Sequence, residues 1–194
     1  MNKLSSTADD ILQCAHALIV KGGYNGFSYA DIAEVIGIRK PSIHHHFPSK
    51  SDLVKTLVAR HLGQTQEGFN KLERAVPDPL EQLRAYVEHW KRCISDSSVS
   101  FCVCALLANE LPVLPEEVVR EVRAYFRFLS AWLTAVLERG ASQGRFVLSS
   151  TPATEAEVFM ATVHGAMLSA RAYGDGEMFG RIMDPQLQRL TVKH

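Results

Sequence analysis

Apolar residues recur every three or four positions along almost the whole chain, and this pattern constrains the fold more than any other feature. Ala8, Ile11, Leu12, Ala15, Leu18 and Ile19 mark one face of a first helix. Leu80, Leu83, Val87, Trp90 and Ile94 mark another, and Val118, Val122, Tyr125, Phe126, Leu129, Leu133 and Val136 a third. A period near 3.6 places such residues on one stripe of a helix. A half-buried strand needs strict alternation between turn signals, and no segment shows it. The chain is therefore read as all-α, with about nine helices.

Helix punctuation agrees with the periodicity. Ser6 with Asp9, Ser28 with Asp31, and Ser49 with Asp52 each place a capping hydroxyl three residues ahead of an acid; Asp78 precedes Pro79 in the same role. Gly22-Gly23 and Gly37 are read as the ends of the first two helices, and Pro41 suits the first turn of the third. The fourth is expected to run from Ser49 to about Ala75. A short apolar helix is expected around 101–111, then a long one opened by Pro115 and ended by Gly140. Another begins at Thr151-Pro152 and ends near Tyr173, and a last one ends near Leu190. Three short helices before residue 50 and a larger bundle after it suggest domains at 1–50 and 51–194.

The bulk numbers narrow the function classes. With 194 residues the chain can bury a sizeable core. Its 21 basic and 21 acidic residues cancel, but residues 1–60 carry seven Lys/Arg against five Asp/Glu, a mild positive bias. No apolar run approaches the ~18–20 residues of a membrane span, and the first residues lack the apolar stretch of a secretory signal. The four cysteines form no CxxC pair. A cytoplasmic protein with reduced thiols and no membrane partner is expected. There is no Gly-rich phosphate loop, nucleophile elbow, HExxH motif or Cys/His run with ligand spacing, so neither an enzyme nor a cofactor is expected.

The stretch from Phe27 to Lys50 carries the most information. A helix-turn-helix needs a small residue where its helices nearly touch, which Ala33 supplies. It also needs a residue tolerant of left-handed backbone at the turn, which Gly37 supplies four positions later. Ile38 and Ile43 can pin the second helix onto the first. The N-terminal side chains of a recognition helix reach base edges, and here these are Arg39, Lys40 and Ser42. Lys50 and the cap of the fourth helix offer a phosphate site. His44 and His45 can donate to phosphate, while Phe47 is expected to pack inward. Three adjacent histidines invite a metal reading, but helical neighbours point about 100° apart and cannot converge on one ion.

Residues 6–60 resemble the DNA-binding domain of the TetR family of repressors. The resemblance rests on Ser28, Ile32-Ala33, Gly37, His44-His45-His46-Phe47 and Lys50. His44 stands where the family usually has Tyr, and Pro41 where it usually has a small residue. The expected DNA-contacting set is Ser28, Tyr29, Arg39, Lys40, Pro41, Ser42, His44, His45 and Lys50. The resemblance implies a homodimer on a palindromic double-stranded operator, released by a small-molecule effector. It implies a dimer interface on the last two helices, where Ala161, Gly165, Leu168 and Ala172 form a small-residue stripe. It also implies an effector pocket among helices four to eight, with Tyr86, Trp90, Cys93, Phe126, Phe159, Met160 and His164 as candidates. Some family members sense electrophiles or oxidants through a cysteine near the start of the sixth helix, which points to Cys102 and Cys104. Gly63 and Gly68 are expected to make the fourth helix compliant during release. The alternative readings are such a redox-sensing repressor, an activator, and a helical protein-interaction module without DNA binding.

Overall fold

A computed structural model describes residues 6–95 and 101–191. Nine α-helices are present among them: α1 (Thr7–Gly22), α2 (Tyr29–Ile36), α3 (Lys40–His46), α4 (Lys50–Ala75), α5 (Pro79–Ser95), α6 (Val103–Asn109), α7 (Glu116–Ser142), α8 (Pro152–Tyr173) and α9 (Glu177–Leu190). Short 3₁₀ turns at Tyr24–Gly26 and Leu111–Val113 complete the helical structure of these residues. The all-α expectation holds. The one isolated β-bridge among the described residues pairs Phe146 with Thr191.

Local chemistry accounts for most of the boundaries. Ser6 and Ser28 both build reciprocal capping boxes, with Asp9 and Asp31. The Ser49 hydroxyl accepts from the Asp52 N–H at 3.1 Å, and Asp78 Oδ1 accepts from the Leu80 N–H at 2.8 Å. Gly37 closes α2 at φ 70°, ψ 30°, a left-handed conformation that costs a side chain about 1–2 kcal/mol. One expectation fails. Gly140 does not end α7, which continues to Ser142. A Cβ at Gly140 would run into the Phe146 ring, so this glycine is there for close packing. The turn itself falls at Gly144, where φ is 67°.

The chain divides into two compact units, Met1–Gly63 with Cys102–Tyr125, and Gln64–Phe101 with Phe126–His194. In the first, α1 packs against α2, α3 and α6. Its core contains Ile11, Ile19, Ile32, Ile43, Leu53, Val58, Leu107 and Val118. In the second, α5, α8 and α9 pack on one another around Leu83, Leu133, Phe159, Val163, Phe179 and Met183. Phe69 stacks on Trp132 with ring centroids 3.9 Å apart and meets Tyr86 edge-on at 5.8 Å. The polar groups beside this cluster are paired. Glu73 accepts from Trp132 Nε1 and from Arg139, each at 3.1 Å, and Arg139 also donates to buried Gln82 at 2.9 Å.

Candidate nucleic-acid interface

Helix α3 is short and has two unlike faces. Ile43 is fully buried, and Phe47, just past the end, is buried too; these anchor the helix to the core of its unit. Arg39, Lys40, Pro41, His44, His45 and His46 are exposed, and Ser42 is half-buried. Pro41 sits in the first turn, where its missing N–H leaves no hydrogen bond unmade. The outward face therefore offers a guanidinium, an ammonium, a hydroxyl and imidazoles, all able to donate to phosphate or base edges.

His44 Nδ1 lies 3.2 Å from the Pro48 carbonyl oxygen, and the other expected contact residues also have internal partners. Ser28 is exposed, but its hydroxyl bonds Asp31 at 2.7 Å and accepts from the Ala30 N–H at 3.2 Å. The Ser28 hydroxyl, with the Ser28 backbone N–H, holds the Asp31 carboxylate below the usual carboxylate range. Tyr29 is buried and donates its hydroxyl to the Phe47 carbonyl at 2.9 Å, while its ring meets His44 edge-on at 4.8 Å. Burial raises the Tyr29 phenol to about 12. Lys50 is half-buried and donates to the Phe27 carbonyl, its Nζ 4.1 Å from the centre of the Phe27 ring and 4.8 Å from that of Tyr24. Burial lowers its pKa. These three side chains brace the helix-turn-helix: Tyr29 ties α2 to the end of α3, and Lys50 ties the start of α4 to the segment before α2.

Residues 11–57 match the model of the bacterial regulatory proteins of the tetR family, and residues 79–184 match that of the tetracyclin repressor-like C-terminal domain. The chain belongs to the TetR family. It is a helix-turn-helix, DNA-binding transcriptional regulator. A solved TetR-family transcriptional regulator from Agrobacterium tumefaciens is 64% identical, with a TM-score of 0.93 over 95% of this chain and 97% of that one. The repressor NemR of Escherichia coli is 22% identical over 175 residues, 88% of each chain. The activator FasR of Mycolicibacterium smegmatis is 32% identical over 78 residues, a match spanning 36% of FasR.

The candidate effector residues of this TetR-family chain all lie in the second unit. Tyr86, Trp90, Phe159 and Met160 are buried; Cys93, Phe126 and His164 are half-buried. Phe126 and His164 pair with ring centroids 5.4 Å apart, and Tyr86 joins the Phe69–Trp132 cluster. Cys93 Sγ lies 3.7 Å from His89 Nε2. A groove of about 610 Å³ runs between α5 and α9, lined by Val76, Ala85, Val87 and Leu187 with Arg84, Glu88, Lys91 and Asp184. The seven candidates do not line it. The expected dimer residues Ala161, Gly165, Leu168 and Ala172 are exposed on α8, Leu168 by 59%, and Val158 extends the same face. Among the described residues no helix is long and apolar enough to cross a membrane.

Cys102 and Cys104 are almost wholly buried, and burial pushes the Cys104 thiol well above its ordinary value. Cys102 caps α6 with extended backbone (φ −66°, ψ 119°), so the two thiols are not spaced as neighbours on one helix. The Cys104 sulfur lies within 4.8 Å of that of Cys102. The juxtaposition of these thiols with His61 lay outside any sequence reading, because Cys102 lies 41 positions beyond His61.

Proposed function

We propose that this regulator is a repressor that grips a palindromic operator with two copies of α3 and is released by a small-molecule effector. The observation that carries the reading is the division of α3, with Ile43 and Phe47 buried and Arg39, Lys40 and His45 exposed where they can face a major groove. One such helix makes too few contacts for tight operator binding, so two half-sites spaced by about 34–36 Å or a multiple are required. The exposed face of α8 through Val158, Ala161, Gly165, Leu168 and Ala172 supports the dimer. It combines apolar surface with small residues that permit close helix approach.

Two buried atoms support an effector site in the second unit. Trp90 Nε1 and His164 Nε2 have no hydrogen-bond partner among the described residues, and Trp90 is only 5% exposed. A buried polar group left unpaired costs about 1–3 kcal/mol, so a ligand that pairs either one is favoured by that margin. Such a ligand is an aromatic or apolar molecule with at least one polar group.

The deciding experiment is a gel shift on operators selected from a random duplex pool. Lys40→Ala with His45→Ala lowers affinity about tenfold or more and flattens its salt dependence. Unchanged affinity and salt slope would show that this face of α3 is not the contact surface.

A further inference from the structure

We propose that His61, Cys102 and Cys104 form a binding site for a soft divalent cation, zinc being the ion this donor set suits. One imidazole nitrogen and two thiol sulfurs, drawn from α4 and the start of α6, lie within 4.8 Å of one another. Zinc holds sulfur at about 2.3 Å and imidazole nitrogen at about 2.0–2.1 Å, so its tetrahedral ligand atoms sit about 3.5–3.8 Å apart. Small side-chain rotations close that difference. Cys102 stands at the N-cap of α6 with extended backbone, and Cys104 lies in the first turn.

The surroundings match a site of this kind. Cys102 is 1% exposed and Cys104 fully buried, while His61 is half-buried. Two thiolates and a neutral imidazole cancel the charge of a divalent ion, so the loaded site carries no net charge into the interior. Each ion bound displaces two thiol protons to solvent, and no oxidant or reductant takes part. The fourth position falls to water or to His16 of α1, whose ring centroid is 6.4 Å from that of His61. The Tyr125 ring lies 5.3 Å from that of His61 and receives the Cys102 thiol on its hydroxyl at 3.7 Å, a contact able to orient the sulfur. Sulfur and imidazole donors without a carboxylate favour zinc over magnesium or calcium. All these residues belong to the compact unit that contains the helix-turn-helix, and an ion held there clips α4 to α6.

The test uses the full chain, purified under reductant, stripped with a chelator and titrated with cobalt(II) as the spectroscopic probe. The expected result is one cobalt per chain, a sulfur-to-cobalt charge-transfer band in the near ultraviolet and tetrahedral d–d bands in the red. One equivalent of zinc abolishes all three. Cys102→Ala with Cys104→Ala loses the charge-transfer band, whereas Cys14→Ser with Cys93→Ser keeps it. Should the double alanine variant fail to fold, His61→Gln serves: it keeps the sulfur band but weakens cobalt binding at least tenfold. A wild-type chain that takes up no cobalt at stoichiometric concentration overturns the site. So does a charge-transfer band that survives loss of both thiols, or cobalt affinity unmoved by His61→Gln.

Discussion

The phenol of Tyr29 illustrates how a side chain's neighbours decide its use. Its hydroxyl is the donor to a buried carbonyl at the end of α3, and its ring covers His44. Tyr29→Phe leaves the Phe47 carbonyl without that donor and lowers stability by about 1–3 kcal/mol, read from urea unfolding. The pH dependence follows from the raised phenol. Below its ordinary value of 10.0 the phenol is neutral in both folded and unfolded chains, and its contribution is complete. As pH climbs towards about 12 the unfolded chain ionises first, so stability falls across that window. Tyr29→Phe removes this part of the alkaline loss; an unchanged alkaline profile would contradict the assignment. Both Tyr29 and Lys50 were legible as important, but their inward direction was not. A motif shows which residue type is needed at a position without showing which way the side chain turns.

Elements were legible wherever the signal was local. The capping boxes at Ser6 and Ser28, the left-handed Gly37 and the cap at Asp78 all rest on atoms within four residues of one another. Gly140 departs from this rule because its reason is a ring six positions on that folds back over the helix. Helix propensity alone favours Gly140→Ala by about 1 kcal/mol. The close approach of Phe146 reverses that sign, and the variant is expected to lose about 1–3 kcal/mol of stability by thermal or urea melting. A stabilised variant would mean the Phe146 ring can move aside at little cost. α4 shows the opposite case, staying helical through both Gly63 and Gly68, neither of which has a neighbour close to its missing Cβ.

At the scale of the whole molecule the open question is how copies meet. α8 is capped and apolar, so its sequence alone fits a core helix as well as an interface helix. The structure leaves Leu168 59% exposed and Val158 41% exposed on the face that also holds Ala161, Gly165 and Ala172. Leu168→Glu puts a charge at the centre of that stripe and is expected to shift the mass in light scattering from dimer to monomer at micromolar concentration. Helicity and the buried Phe159 and Val163 side are left untouched. A dimer that survives the substitution would place the interface elsewhere.

Periodicity and caps are short-range physics, so the amino-acid order alone determined that the chain is helical, where most helices begin, and that residues 28–50 form a helix-turn-helix. Tertiary packing alone decided that Lys50 turns inward, that one stripe of α8 is left unpacked within the chain, and that His61 meets Cys102 and Cys104. Such outcomes depend on which helix faces close on one another, and no spacing within a single helix encodes that.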